Sequence, residues 1–493
     1  MRILWLVNII MPKAAERLGV KASNKEGWLT GICDTVSKNS VLGFQSNSEM
    51  NEKASSENEN AAKNSKELET HPEVDITNGT FHKSPDNKEL GIDLSVDITN
   101  GAFHKSSDNI ELGICFPVDI INDGFHETID NIEYFGFYED TVDPHIYHKE
   151  VEGRLDKIVR QFKPDIVHMF GTEYPHFLAM TRVMKDSPQK LLAGIQGILK
   201  IYTDHFCDGV PDYVINRRTF RDRLKKDSIL EQKEKYRLRG INETEGMKLV
   251  GNVTGRTPFD KEYSKSENPK AQYYHMNETL RTCFYEGKWE YDKCEPHSIF
   301  LSQGNYPIKG FHYVLQALPK LIEKYPDIKV YVAGDRITAD STIKDKIKIS
   351  SYGKYLLELI DKENLSNNVV TTGSLTAEEM KTKLLECALF VCPSTIENSP
   401  NSLGEAMLLG VPCVTSNVGG IPGIFDDGKD GIMYEAGDAL ALADAVDEIF
   451  SAADHGQKFG EAAMAHARRT HDPKANYERL MEIYRTIYQQ QLH

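Results

Sequence analysis

The stretch FVCPSTIENSPNSLGEAMLLGVPCVTSNVGGIPG, Phe390 to Gly423, sets two acidic residues, Glu397 and Glu405, on either side of a helix start. Ala388 to Pro393 reads as a short buried strand, Ser399 and Pro400 as N-cap and first helical residue, and Gly410 as a C-cap before a further strand, Val411 to Thr415. In such a strand, loop, helix, strand unit the crevice beyond the strand's carboxyl end collects ligands, and the free amides of a helix start suit a phosphate. Those amides belong to Asn401, Ser402 and Leu403. Glu397 stands on the loop at that mouth, and Glu405 about two turns further on. A purely structural reading competes: Ser402 and Glu405 fit a capping box, S-x-x-E, in which Glu405 only satisfies a backbone N–H, and Glu397 is a solvated loop acid.

The chain has 493 residues, beyond the roughly 250 to 300 at which a single core stops growing, so two domains are expected. A net charge of -16 and a pI near 5.5 exclude a nucleic-acid binder, which needs Lys and Arg clustered over a whole face. One local exception is Arg217 to Arg239, with ten basic residues against four acids, in a pattern that fits an amphipathic helix. It reads either as a solvated face or as a peripheral contact with anionic lipid head groups. The eight cysteines form no C-x-x-C pair and show no regular spacing, so neither a disulfide framework nor a zinc site is expected. The apolar run Ile3 to Met11 is short and holds Asn8, which makes it a first buried strand rather than a signal peptide. No stretch approaches the roughly 20 apolar residues of a membrane span, and the expected location is cytoplasmic, with peripheral attachment at the inner face of the membrane as the alternative.

Along the chain, Arg2 to Ile10 opens a Rossmann-like half, followed by a long loop and a helix start at Gly27-Trp28. From Gln45 to Glu73 the composition turns to Ser, Asn, Glu and Lys, with almost nothing bulky to bury, and is expected to be disordered. A three-fold repeat of 22 residues follows, beginning at Val74, Val96 and Val118, and its first two copies agree at 16 of 22 positions. It reads as a tandem duplication of one strand-plus-loop unit, with strands placed at Ile110 to Phe116 and Ile132 to Tyr138 and the surplus, about 43–109, an insertion. Regular alternation then returns: a helix from Tyr147, the strand in KPDIVHMFGTEYPH, a helix, and the strand in LLAGIQG. His168 ends a buried-looking strand and Glu173 follows in the loop, where catalytic and binding groups tend to sit. His168 is therefore weighed as a catalytic candidate against a packed core residue. GNVTGRTPFD lacks the Gly-Lys-Ser/Thr of a P-loop. Cys283 to Pro296 is the expected hinge, and from Ser298 a second alternating half begins, with Lys309 before a helix at a strand's carboxyl end. The expected domains are 1–285, 296–470, and a helix in 471–493 that crosses back to the first.

The whole string, PS, Glu, seven residues, EAM, G-x-P and the Gly419-Gly420 loop, resembles the signature of glycosyltransferase family 4, the group 1 type found in bacterial polysaccharide synthesis. The resemblance implies two Rossmann-like α/β domains facing a cleft, the glycosyltransferase B fold. It implies a retaining transfer from a nucleotide diphosphate sugar to a carbohydrate or lipid-linked acceptor, with no cofactor and no metal. It implies Glu397 against the transferred sugar, Glu405 against the nucleotide ribose, and Lys309 as the diphosphate lysine, with Gly420 in the donor loop. Where the family usually has an Arg, this chain has Gln303, with Asn305 as a partial substitute; where it often has His-Gly, this chain has Gln196-Gly197. Glu173 and Gln196 then face the acceptor. Two other classes remain in view: a nucleotide-sugar epimerase of the same fold, and a non-catalytic glycan-binding protein.

Overall fold

The computed structural model describes residues 1–21, 29, 33, 110–334, 337, 338, 342 and 347–492. The first half of the described chain builds one sheet from β1 (Arg2–Leu6), β2 (Glu111–Val118), β3 (His126–Ile129), β4 (Ile132–Tyr138), β5 (Ile166–Phe170), β6 (Leu191–Gly194), β7 (Asn252–Gly255) and β8 (Gln272–His275). Its order is β3-β4-β2-β1-β5-β6-β7-β8. Neighbours run parallel except β3 and β4, a hairpin turned at Asp130 and Asn131, whose φ values of 51° and 63° suit a two-residue loop. The remainder builds a second, wholly parallel sheet from β9 (Glu295–Leu301), β10 (Lys329–Ala333), β11 (Val369–Gly373), β12 (Cys387–Cys392), β13 (Cys413–Ser416) and β14 (Ile432–Tyr434), in the order β11-β10-β9-β12-β13-β14.

Parallel strands covered on both faces are continuous apolar runs, and CALFVC in β12 is buried at every position. Helices supply the cover. In the second half, Phe311–Lys324 and Ala439–Ser451 bury Leu315, Leu318, Leu442 and Val446 in one cluster with Ile299, Val330 and Leu389 of the sheet. Both sheets reverse their winding once, the first between β1 and β5, the second between β9 and β12. Ligands of doubly wound sheets bind outside the carboxyl ends of the strands at such a reversal.

The repeat has a simple structural outcome. Its last two copies place their alternating segments as neighbouring parallel strands, β2 and β4, paired from Leu112 with Ile132 to Val118 with Tyr138. The first copy, the polar stretch 45–73, the insertion and the Gly27-Trp28 helix start lie outside the described residues. The opening strand is shorter than expected: it stops at Leu6, and a helix, Pro12–Leu18, begins where a loop was expected. Pro12 at its first position and Gly19, in left-handed conformation past its end, are ordinary start and stop signals. The helix Pro473–Gln490 lies on the first sheet, where Leu480, Met481, Ile483, Tyr484 and Ile487 are buried. Full burial of each such apolar side chain contributes about 1.5 to 3 kcal/mol, and Trp5 Nε1 donates to Tyr484 Oη at 2.9 Å.

Candidate active site

Two loops meet beyond the reversal point of the second sheet. After β9, Pro307–Lys309 forms a single 3-10 turn, and Gly310 takes φ 67°, so close to the loop after β12 that a Cβ would collide with the Pro393 carbonyl oxygen. Thr395 N donates to the Ile308 carbonyl at 2.8 Å, fastening one loop to the other. Lys309 Nζ then donates to Glu397 Oε1 at 2.6 Å, and Ser394 Oγ donates to the same oxygen at 2.8 Å. Burial pulls the Lys309 ammonium down, but the Glu397 carboxylate, Tyr306 and the hydrogen bond to Glu397 outweigh it and hold the group well above its ordinary value. Lys309 is therefore a standing cation.

Glu405 lies in the second turn of the helix Asn401–Leu409, with both oxygens held by the Arg281 fork: Nε to Oε1 and Nη2 to Oε2, each at 2.6 Å. Burial pushes its carboxyl up, and Arg281 opposes that push. The capping box is absent. Pro400 occupies the N-cap position, one residue later than expected, and Ser402 Oγ meets Ser302 Oγ at 3.0 Å.

A cavity of about 600 Å³ opens over this arrangement, with Arg281, Gln303, Lys309, Glu397, Ser402 and Glu405 in its wall and Leu375 and Met380 as apolar lining. A second cavity of about 300 Å³ opens beside it, lined by Asn8, Glu173 and Arg239 from the first half and by Tyr306 from the second. Lys309 and Asn401 line both.

Residues 286–466 match the family model described as glycosyl transferases group 1. This segment is a group 1 glycosyl transferase domain. Spore coat protein SA of Bacillus subtilis is 25% identical over 184 residues, 37% of this chain and 46% of that protein. D-inositol 3-phosphate glycosyltransferase of Corynebacterium urealyticum is 29% identical over 182 residues, 36% of this chain and 41% of that protein. The chain thus spans less than half the length of these curated relatives. Among solved structures, sucrose-phosphate synthase from Thermosynechococcus elongatus superposes with a TM-score of 0.56 at 14% identity, covering 77% of this chain and 89% of that one. Anabaena HepE, in complex with UDP and glucose, superposes with a TM-score of 0.55 at 15% identity, covering 76% and 91%. The fold is that of the B-type glycosyltransferases, with the group 1 glycosyl transferase domain forming its second half.

Of the residues singled out by sequence, the structure brings Glu397, Lys309, Glu405, Asn401, Ser402 and Gln303 to the larger cavity, and Glu173 and Gln196 to the smaller. Four expectations are corrected. His168 lies within β5, not at its end; it is wholly buried, its Nδ1 2.7 Å from Tyr484 Oη and its ring against Phe170, and it lines neither cavity. Burial lowers its imidazole to about 3, and it is a core residue under the C-terminal helix. Leu403 is fully buried and its amide already donates to the Pro400 carbonyl, so only Asn401 and Ser402 remain at the helix mouth. Gly420 packs on Asn398 and Thr257, its amide on the Glu397 carbonyl, and supports the loop from behind. Asn305 lines neither cavity; its side chain lies against Gly334.

Arg281, Ser394, Asn8 and Arg239 were not anticipated. Ser394 sat in view inside the PST run; the others reach the site only through tertiary contacts. The basic stretch 217–239 is not one amphipathic helix but two, Phe220–Lys225 and Ile229–Met247, broken at Lys226 with φ 51°. Phe220 and Leu224 are nonetheless 67% and 75% exposed beside Arg223 and Lys225. No described helix is long and apolar enough to cross a membrane. Among the described residues one group suited to hold a metal ion, Asp426, Asp430 and His466, lies outside both cavities.

Proposed function

We propose that the chain is a retaining hexosyltransferase that moves a sugar from a nucleotide diphosphate donor to a carbohydrate or lipid-linked acceptor, in the synthesis of a cell-surface polysaccharide or glycan. The observation that carries this reading is the Lys309–Glu397 pair at the seam of two cavities, with Glu405 deep in the larger. The company it keeps supports it: a relative named as a D-inositol 3-phosphate glycosyltransferase, another named for colanic acid biosynthesis, and a similar fold solved with UDP and glucose.

The hard event is departure of the diphosphate, as an oxocarbenium-like sugar forms and negative charge grows on the β-phosphate. Fixed positive charge at that point lowers the barrier more than a strong base does. Lys309, kept protonated by Glu397, meets that charge together with the amides of Asn401 and Ser402 at the helix start. An ammonium has three protons, so Lys309 can serve Glu397 and a phosphate oxygen at once. Glu397 orients the sugar, Glu405 takes the ribose diol, and Leu375 and Met380 offer apolar surface to the base. Neither a resident metal nor a cofactor is part of this scheme. A peripheral membrane contact, at the inner face, is assigned to exposed Phe220 and Leu224 with their basic neighbours, and flotation with anionic vesicles is its test.

The experiment is nucleotide release from several nucleotide sugars, with and without a mixed glycan acceptor. Release that requires acceptor is expected. An epimerase releases nucleotide from the donor alone, and a non-catalytic glycan binder releases none.

A further inference from the structure

The smaller cavity lies beyond the carboxyl ends of β1 and β5, the strands between which the first sheet reverses. The loop after β1 brings Asn8, and the loop after β5 brings Glu173. Glu173 Oε1 accepts from the Gly197 amide at 2.6 Å, whereas Oε2 is buried and has no hydrogen-bond partner. Asn8 Oδ1 lies 2.8 Å from His176 Nε2, and His176 Nδ1 lies 2.6 Å from Glu139 Oε2, a buried chain that holds the amide in place. Asn8 Nδ2 and Glu173 Oε2 converge over Gly171, φ 94°: a Cβ there would lie 2.6 Å from the first and 2.7 Å from the second. Only glycine lets both groups come that close to the backbone. An amide donor beside an unpartnered carboxylate oxygen is the pair a hydroxyl needs, which accepts from one and donates to the other.

Arg239, from the helix Ile229–Met247, lines the same cavity. Its Nε donates to the Glu173 carbonyl at 3.0 Å, and its guanidinium lies 5.2 Å from the Tyr174 ring centroid and 5.5 Å from that of Tyr236. Of the other arginines of this segment, Arg217, Arg218, Arg221 and Arg237 each pair with a carboxylate, and Arg223 is exposed and lines neither cavity. Arg239 forms no ion pair among the described residues. A guanidinium fixed at Nε and between two rings presents its remaining N–H groups as a preorganised fork, the geometry that recognises phosphate and carboxylate.

We propose that the smaller cavity is the acceptor subsite and that it takes a hydroxyl-bearing molecule with an anionic group, a phosphate or a carboxylate. One hydroxyl sits between Asn8 and Glu173, and the anion sits on Arg239. This rests on the glycosyltransferase reading. Glu139 and His176 are positioning residues that act through Asn8. The volume, about 300 Å³, is at the small end of ligand pockets and suits a single sugar unit with its charged substituent. Lys309 and Asn401 line both cavities, which brings the held hydroxyl up to the donor.

The test measures binding of glucose, glucose 6-phosphate and glucuronate to the full chain by calorimetry, with UDP binding read separately on the same protein. Both charged probes are expected to bind at least tenfold tighter than glucose. Arg239→Gln is expected to erase that advantage with UDP affinity unchanged, Arg239→Lys to restore part of it, and Glu173→Gln to weaken all three probes. Glucose linked to a prenyl diphosphate in detergent, run beside glucose 6-phosphate, distinguishes a lipid-borne from a free anion, and either preference must vanish in Arg239→Gln. Equal binding of the probes, none by any of them, or a charge preference that survives Arg239→Gln overturns the proposal. An Arg239-dependent preference in a protein that binds no UDP and releases no nucleotide instead overturns the glycosyltransferase reading and leaves the anion cavity standing.

Discussion

Glu405 illustrates how one buried carboxylate answers two demands. Arg281 takes both of its oxygens, yet each oxygen has a second lone pair, and on the proposed reading those accept from the ribose diol. Glu405→Gln keeps the shape and loses the charge. It is expected to weaken nucleoside diphosphate binding by about 1.5 to 3 kcal/mol, the range for a charge-assisted hydrogen bond. Calorimetry on a variant that still melts cooperatively measures this, and unchanged affinity would leave Glu405 only its pairing with Arg281. On the proposed transfer Lys309 carries a different burden, since its charge would matter most after the diphosphate begins to leave. Lys309→Ala is expected to lower turnover roughly a hundredfold or more, measured as acceptor-dependent nucleotide release. A variant within a factor of a few of the parent protein would make Lys309 only the counter-ion of Glu397.

At the scale of elements, legibility followed sequence separation. The helix Asn401–Leu409 and the strands on either side were readable because Pro400, Gly410 and the apolar runs are local signals. The hairpin strand β3 was missed although Asp130 and Asn131 were there to mark its turn, and Pro12–Leu18 was missed although Pro12 and Gly19 bracket it. Those were local signals overlooked. Arg281, Arg239 and Asn8 are another matter: what brings each to the candidate site is a partner or a cavity wall far away in sequence, and no spacing reports it. Glu243 belongs to the same class. It rises from the helix Ile229–Met247 into the first half's core, where Thr172 Oγ1 donates to it at 2.6 Å and the Leu199 amide at 2.9 Å. Burial pushes its carboxyl up to about 8. The folded state therefore holds a proton that the unfolded chain, near 4.3, gives up. The sign follows: this contribution to stability is full below the unfolded value and is lost as pH rises through about 8. Melting temperature is expected to fall by several degrees between mildly acidic and mildly basic pH, and Glu243→Gln, which cannot ionise, is expected to flatten that slope. A parallel decline in the variant would assign it to other groups.

For the whole molecule, β1 pairs directly with β2 from Arg2 with Glu111 to Leu6 with Cys115, so the strands that flank 43–109 in sequence are neighbours in the sheet. Deletion of 43–109, with Ile110 onward retained, is expected to leave cooperative melting and donor binding intact, because changing the length of a connection between two elements changes closure entropy only slowly. Loss of cooperative melting would place those residues in the core. On the proposed transfer, the two halves also bear on the stereochemistry. The larger cavity is walled mainly by the second half, with Arg281 from the first, and the smaller by both, and the residues common to both walls are Lys309 and Asn401, the groups assigned to the departing phosphate. An acceptor in the smaller cavity therefore approaches the sugar from the side on which the phosphate leaves. Inversion asks for the opposite: a general base across the ring from the leaving group. The carboxylates lining the larger cavity are Glu397 and Glu405, and each is engaged by a cation, Lys309 and Arg281 respectively, which suits holding a ligand better than taking a proton. Same-face attack, with the leaving phosphate oxygen receiving the acceptor's proton, is the outcome consistent with that placement. The product is expected to keep the donor's configuration, α from an α-linked donor. Proton NMR of the fresh product reads the anomeric coupling directly, and a β-linkage from an α-donor would mean that the acceptor enters from across the ring and that Lys309 and Glu397 hold something other than the scissile bond.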